Sequence, residues 1–555
     1  MKNVKWIGIL TGITVLVLKA YPQAISQAEA EKVAVNFFVE KAQVNTDMIH
    51  FGMSYIIEED QLPLYYVFNI NEGFVIVASS KNVFPVLAWS AESAYMDKDF
   101  PPAFSRWMKS YQSHILKALH NNSQIPAFAL KAWELYSDEN FEPKVPLTGK
   151  DPFLLTTWSQ GCFYNSQFPA DTNGPCDHLW TGCVATAMAQ VMKYYNFPKN
   201  GTGTHGYNSN YGWVEADFGN TQYGWVNMSY HLTGENDAVA QLLFHCAISV
   251  NSQFFPNGTG AFDFSARQAL IQYFDYSPQT QFLWRDNFNN DDWLALLRAE
   301  LNEDRPVIYG GADSESGSGH TLVCDGYQDT AFFHFNWGWN GTYNGYFYLD
   351  SLIAGDNYFD FQHDAVVGIK PDIDSTILAY PPANLVSSVS EHTVMLSWDA
   401  PELPGTNELL GYNIFRDGIA VNTEIIIQTG YSDYDVPPGD HEYFVKTVYI
   451  GAQSGPSEAV EAYVSQVKDL YVRNLVVYPV PARDFILIPA GQIQAESVRV
   501  KISDITGKVV HEGIIIPHPN DDLKIWLPEK LSGILFLQVN AGGIRYTAKM
   551  VVVKN

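Results

Sequence analysis

Thr181-Gly182-Cys183-Val184-Ala185-Thr186-Ala187-Met188-Ala189-Gln190-Val191-Met192-Lys193-Tyr194-Tyr195 is the stretch from which the rest of the chain can be ordered. Helix formers follow Cys183, with no Gly or Pro until Pro198, so the pattern predicts a helix that begins at the cysteine. Thr181 and Gly182 are small enough to cap its start. A thiol attacks a carbonyl carbon only as thiolate, and an ordinary cysteine has a pKa of about 8.5. The positive end of a helix and a nearby imidazolium both lower that value. Cys183 is therefore a candidate nucleophile that needs a base.

Two downstream segments supply one. In Gly319-His320-Thr321-Leu322-Val323-Cys324-Asp325-Gly326-Tyr327, His320 follows the flexible Gly317-Ser318-Gly319 and precedes a strand-like run. That places it at a loop-to-strand edge, where it can give Cys183 a counter-charge and later protonate a leaving amine. In Phe335-Asn336-Trp337-Gly338-Trp339, Asn336 is a candidate to bond the imidazole and fix its tautomer, with Trp337 shielding that bond from water. His320 lies 137 residues after Cys183 and Asn336 lies 153 after it. The order Cys, then His and Asn about 130–150 residues on, is that of papain-type peptidases. The local papain signature around the cysteine is absent.

These motifs resemble the streptopain family of papain-fold cysteine peptidases. The resemblance covers roughly residues 28–370. It rests on Gly182–Ala187 with the following helix, on Gly319-His320 through Tyr327, on His334–Trp339, and on Trp158-Ser159-Gln160-Gly161 with Tyr164-Asn165. It implies that Gln160 lends its side-chain amide to an oxyanion hole beside the Cys183 N–H. Such donors contribute about 2.7–4 kcal/mol in acyl transfer. That role requires the 23-residue span from Gln160 to Cys183 to loop back. The resemblance also implies peptide or protein substrates, with an apolar side chain two residues before the cut. No metal or organic cofactor is implied.

Each motif alone also has a plainer meaning. A cysteine at a helix start is commonly a small buried hydrophobe, and Asn-Trp-Gly-Trp is at home in an aromatic turn. It is their order and spacing that favour a cysteine endopeptidase. The rivals are another Cys-His acyl transferase, for which Asp325 or Asp329 would serve as third residue, and a surface adhesin on a peptidase scaffold. A zinc site from Cys162, Cys176, His178 and Cys183 lacks the paired short spacings of structural zinc.

The chain has 555 residues and a net charge of −27, which disfavours nucleic acid as a partner and suits a secreted protein. Lys2 and Lys5 precede an apolar run at 6–18, too short to span a bilayer, and small residues follow at Ala20, Ala24 and Ala28. This reads as a signal peptide over 1–24. No later run is long enough for a transmembrane segment. Five cysteines are present, an odd count that fits one free reactive thiol, Cys183. Cys162 and Cys176 bracket a Pro/Gly/Asn-containing loop and are a candidate pair, but spacing leaves the connectivity open.

The expected fold class is α+β: a papain-like two-part catalytic domain, preceded by an α+β prodomain and followed by two all-β sandwich domains. Residues 25–147 read as the prodomain. A helix is expected over 28–43, strands at 54–57, 64–70 and 73–78, and a helix opening at Pro101-Pro102. In that helix Phe104, Trp107, Met108, Tyr111, Ile115, Leu116 and Leu119 fall at steps of three and four. A unit of this kind before such an enzyme resembles the streptopain propeptide, which implies an inhibitor covering the cleft. The Pro-, Gly- and charge-containing 142–150 is the expected junction. The catalytic domain spans 148–372, with helices at 238–250, 267–273 and 290–303, strands at 306–309, 321–326, 332–336 and 345–349, and loop over 201–227. Residues 254–260 resemble a loop that lines the cleft in relatives.

Residues 378–466 resemble a fibronectin type III module, with Trp398 in its core and Tyr443 near its corner turn. It reads as a spacer. Residues 475–555 resemble the C-terminal sorting domain of the type IX secretion system of Gram-negative bacteria. Val480 replaces the usual Asn between two prolines, and Leu535-Phe536 replaces the usual Tyr. The implied partner is the secretion machinery, and the implied location is outside the cell or on its surface.

Overall fold

The computed structural model describes residues 24–554 except 98–99, 121–124, 145–146, 314–318, 351, 353–360, 374–378, 402–406, 466–471, 494–496, 518–520 and 542–543. The expected signal peptide up to Gln23, and the Gly317-Ser318 approach to His320, lie outside the described residues. Two compact units are present. One runs to Leu385 and adds Trp398–Thr429 and Phe444–Ala459. The other holds Val386–Ser397, Gly430–Tyr443 and the chain from Val460 on. The expected 378–466 module thus contributes to both.

In the first unit the prodomain stretch opens with α1 (Gln27–Ala42), whose N-cap Ser26 accepts a hydrogen bond from Glu29 N–H. Strands β1 (Phe51–Glu59), β2 (Leu62–Ile70), β3 (Gly73–Ala78) and β4 (Val86–Ser90) form an antiparallel meander. Helices α2 (Pro102–His120) and α3 (Ala127–Tyr136) follow. The stripe of α2 is buried as its spacing predicts, from Phe104 and Trp107 through Tyr111 to Ile115 and Leu119. Strand β4 and helix α3 were not among the expected elements.

The catalytic stretch begins with β5 (Gly149–Lys150). Its helices are α4 (Cys183–Tyr195), α5 (Asp237–Ser249), α6 (Asp263–Tyr273) and α7 (Asn290–Asn302). Residues 201–227, expected as loop, contain the hairpin of β6 (Thr204–Ser209) and β7 (Gly212–Asp217). β6 is mostly polar, and β7 alternates only over Val214-Glu215-Ala216-Asp217, a run too short to mark a strand in sequence. A second hairpin joins β8 (Gln253–Phe255) and β9 (Gly258–Gly260). Then come β10 (Gln281–Trp284), β11 (Val307–Asp313), β12 (Gly319–Gln328), β13 (Phe332–Asn336), β14 (Gly345–Tyr348) and β15 (Phe361–Val367).

Prodomain and catalytic strands form one sheet, in the order β1-β2-β3-β4-β14-β13-β12-β11-β15-β10, with β5 also on β12. The junction is β4 against β14, with Trp89 opposite Tyr346 and their rings stacked at 4.9 Å. One apolar core is therefore shared by Phe37, Trp89, Phe104 and Trp107 with Phe335, Trp337 and Phe347. A second core holds the helical part, with Met188, Val191, Leu242, Leu243 and Phe274. Of the expected junction, residues 142–144 are exposed, while Gly149 and Lys150 pair with Gln328 and Tyr327.

Trp398 is buried and meets Tyr412 edge-on at 5.2 Å. The first unit also ties its later segments to the catalytic stretch. Tyr230 O–H donates to Asn413 Oδ1 at 2.9 Å, and Gly451 N–H donates to the Tyr195 carbonyl at 2.9 Å. In the second unit Tyr443 O–H donates to Asp433 at 2.7 Å. A five-stranded sheet is built from Val472–Asn474, Ile544–Val552, Gly533–Ala541, Val498–Ser503 and Val509–Ile515. Val498, Val500 and Ile502 are buried while Arg499 faces out, the alternation of a one-sided strand. Among the described residues, no helix is long and apolar enough to cross a membrane.

Candidate active site

Cys183 opens α4 as predicted. Gly182 caps it with φ +88, and a Cβ there would come within 2.9 Å of the Thr259 carbonyl of β9, so glycine is needed for both conformation and space. The Gly182 carbonyl accepts from the Thr186 N–H and hydroxyl, which fixes the first turn. Gln160 is brought alongside: its carbonyl accepts from Thr181 N–H at 3.0 Å, two residues before the cysteine. The intervening loop is closed by a Cys162–Cys176 disulfide and by Asn165, whose amide donates to the carbonyls of Pro175, His178 and Leu179. Two donors of the conceivable zinc site are thereby bonded to each other.

Cys183 is half-buried, and its sulfur is faced by the backbone N–H and hydroxyl of Thr321, the residue after His320, and by Val184 N–H, which favour the thiolate. Burial pushes its pKa up, and Asp263 adds to the effect. This reverses the expected lowering by the helix end, because loss of water outweighs the dipole.

His320 sits near the start of β12 and is buried. Its Nε2 lies 2.9 Å from the Trp337 carbonyl. A carbonyl only accepts, so Nε2 carries the proton and Nδ1 is the basic nitrogen. Trp337 stacks at 5.9 Å and Trp339 at 4.5 Å from the imidazole. Burial pushes the His320 pKa down to about 4, with Arg106 of α2 adding to the effect and the Trp337 bond opposing it. The positioning bond therefore comes from the Trp337 backbone rather than from the Asn336 side chain. The Asn336 amide donates to the Thr156 carbonyl at 2.6 Å, and its Oδ1 accepts from Gln190 and Gly338 N–H. Gln190 also accepts from Trp158 N–H, linking α4 to both motifs.

Nor does Asp325 touch the base. It bonds His334 Nδ1 at 2.6 Å and Leu154 N–H at 3.0 Å. Glu92, from the prodomain stretch, holds His334 Nε2 at 2.6 Å. Against the cost of burial, Asp325 and Glu92 raise His334 to about 10. On the other flank, α2 lays Phe104 and Trp107 edge-on to Trp337 at 5.4 and 5.6 Å. Gln190, Thr321, Asp263, Arg106 and Glu92 were not singled out from sequence. Glu and Arg near prolines or turns look like ordinary surface residues, and only their long-range contacts mark them.

A cysteine at a helix start, set against a histidine-bearing strand and roofed by an N-terminal helix, defines a covered thiol hydrolase of the α+β class. Comparison with known proteins makes this specific. Residues 158–347 match the peptidase C10 family, 22–115 the Spi protease inhibitor, and 476–554 a secretion system C-terminal sorting domain. Streptopain of Streptococcus pyogenes is 31% identical over 340 residues, covering 55% of this chain and 80% of that one. The thiol protease/hemagglutinin PrtT of Porphyromonas gingivalis is 30% identical over 372 residues, 62% of this chain but only 42% of PrtT. A prointerpain A fragment of Prevotella intermedia is 30% identical, with a TM-score of 0.46, covering 57% of this chain and 98% of that one. The chain belongs to the peptidase C10, or streptopain, family of cysteine peptidases. It carries an inhibitor-type prodomain, and its sorting domain marks it for export to the medium or the cell surface.

Proposed function

We propose that this chain is the zymogen of a secreted cysteine endopeptidase. In this reading residues 25–147 are the inhibitory prodomain, 148–372 the peptidase, 378–466 a fibronectin type III-like module and 475–555 the sorting domain read by the secretion machinery. Cys183 attacks the scissile carbonyl as thiolate. His320 takes the thiol proton at Nδ1 and returns it to the leaving amine, and water then hydrolyses the acyl-enzyme. The Cys183 N–H and the Gln160 side-chain amide hold the oxyanion. The Trp337 carbonyl orients His320, while Asn336 secures the loop that carries Trp337. Substrates are proteins or peptides, with an apolar residue two before the cut.

The observation that carries this reading is the meeting of α4 and β12, where the Cys183 sulfur is faced by the residue that follows His320. While α2 is in place, burial favours thiol over thiolate and neutral imidazole over imidazolium. Latency then follows, because the ion pair cannot form until the ring and sulfur regain water. The test is labelling with a thiol-reactive peptidyl epoxide. After processing, Cys183 should be modified and hydrolysis should stop, and Cys183→Ala should neither label nor cleave. Hydrolysis by Cys183→Ala would sink the assignment. An uncleaved Cys183→Ala precursor would indicate self-processing, and normal cleavage would point to another protease.

A further inference from the structure

Behind the Cys183 sulfur, three elements meet in a polar chain that this reading has not used. The Thr321 hydroxyl, which touches the sulfur, also bonds Asp263 Oδ1 at the start of α6. The second oxygen of Asp263 faces Asp364 on β15. Gly310 of β11 leaves room for this contact, since a Cβ there would collide with Asp263 Oδ2 and Asp364 Oδ1. Asp364 is 5% exposed, and its Oδ1 has no donor among the described residues. Two carboxylate oxygens can only accept, so they are stable face to face only with a proton between them. Burial raises Asp263 to about 6, and burial plus the Asp263 charge raises Asp364 to about 9, so the pair keeps a proton at neutral pH.

A threonine hydroxyl has one proton to give. With Asp263 ionised, that proton turns to the carboxylate, and Thr321 offers the sulfur only lone pairs, which favours the thiol. With Asp364 keeping the bridging proton and a second proton on Asp263 Oδ1, the Asp263 carboxyl donates to Thr321, whose hydroxyl then donates to the sulfur, which favours the thiolate. Building on the assignment of Cys183 as the reacting thiol, we propose that Asp263 and Asp364 are positioning residues that set the direction of the Thr321 hydrogen bond and thereby the ease of thiolate formation. The thiol proton itself still passes to His320. Other charged groups lie aside from this chain. His320 is turned to Trp337, with Arg106 acting on its ring. His363, adjacent to Asp364, packs against Tyr309 and Trp107. Arg267 of α6 donates to the Thr280 carbonyl.

The test is the rate of Cys183 alkylation by iodoacetamide between pH 5 and 9 in the full chain, followed at the Cys183 peptide by mass spectrometry. In Asp263→Asn, the still-buried Asp364 keeps its proton and donates to the new amide oxygen, and the amide N–H donates to Thr321. Alkylation at pH 7 should rise about tenfold, equivalent to one pKa unit. In Asp364→Asn, the amide donates to Asp263 much as the protonated Asp364 does, so at pH 7 Asp263 stays ionised and alkylation should match the parent within about twofold. Simple loosening would move both variants the same way. An equal rise in both variants, or an Asp263→Asn profile within about twofold of the parent, overturns the proposal. If Asp263→Asn does not fold, the parent profile is compared with that of Thr321→Val, which lacks the hydroxyl but keeps the backbone N–H. Below pH 6, where Asp263 gains its proton, the parent rate should fall less steeply with acid than the Thr321→Val rate, and equal slopes overturn the relay. Peptide hydrolysis by Cys183→Ala would refute the catalytic assignment separately, leaving the thiol measurement intact.

Discussion

Acid should loosen the hold of α2 on the catalytic stretch, and His320 sets how far. In the covered form burial and Arg106 depress its pKa from 6.5 to about 4. Once α2 leaves, the ring regains water and moves back toward its ordinary value. Between those two values the open form binds more protons, so falling pH favours opening. The sign is that of a depressed histidine: its support for the covered form is complete above pH 6.5 and fades as pH falls toward 4. At pH 4.5 the difference is at most about 2.5 kcal/mol, or roughly 75-fold in the opening equilibrium. Glu92 acts in the same direction at the acid edge. Burial raises its pKa, but the contact with His334 more than reverses this, so it sits below its ordinary 4.5 and its bond is lost as acid protonates it. The assay is amide hydrogen exchange of α2 in the full-length Cys183→Ala chain at pH 7.5, 6 and 4.5, corrected for intrinsic exchange. His320→Gln is the control and should remove most of the slope. A flat opening free energy for α2, or an unchanged slope in His320→Gln, would refute the reasoning.

Trp107→Ala removes ring contacts with Phe335 at 5.5 Å, Trp337 at 5.6 Å and Phe347 at 5.8 Å. Truncating a buried Trp costs about 3–5 kcal/mol, and these three partners are catalytic-domain residues. The uncleaved precursor should therefore hydrolyse a fluorogenic peptide at least about tenfold faster than the parent, with gels confirming that it is intact. Gly182→Ala should cost about 1–3 kcal/mol from its positive φ, read from urea midpoints, and more from the clash with Thr259, with loss of hydrolysis as Cys183 shifts. Tyr230→Phe deletes the donor to the buried Asn413 side chain, which also accepts from Asn422. A loss of about 1 kcal/mol is expected, and none would show that this tie to the later segments is idle.

Sequence alone determined the parts of this protein whose signal is local. The helix after Cys183 is legible because an unbroken run of helix formers follows a small cap, and α2 because its aromatic and aliphatic residues recur at helical steps. Ordered motifs made the family visible. The short β4 beside Pro85, the ten-residue α3 and the polar β6–β7 hairpin carried weaker periodic signals. Tertiary structure decided what depends on residues far apart in the chain. It moved the hold on His320 from the Asn336 side chain to the Trp337 carbonyl, because Asn336 is already bonded to Thr156 and Gln190. It joined the prodomain meander to the catalytic sheet through β4 and β14. It raised the Cys183 pKa that the helix end alone would lower, since the dipole belongs to one helix while desolvation is imposed by every element packed around the sulfur. Charge state is the most collective of these properties, and it is the one a one-dimensional reading is least able to supply.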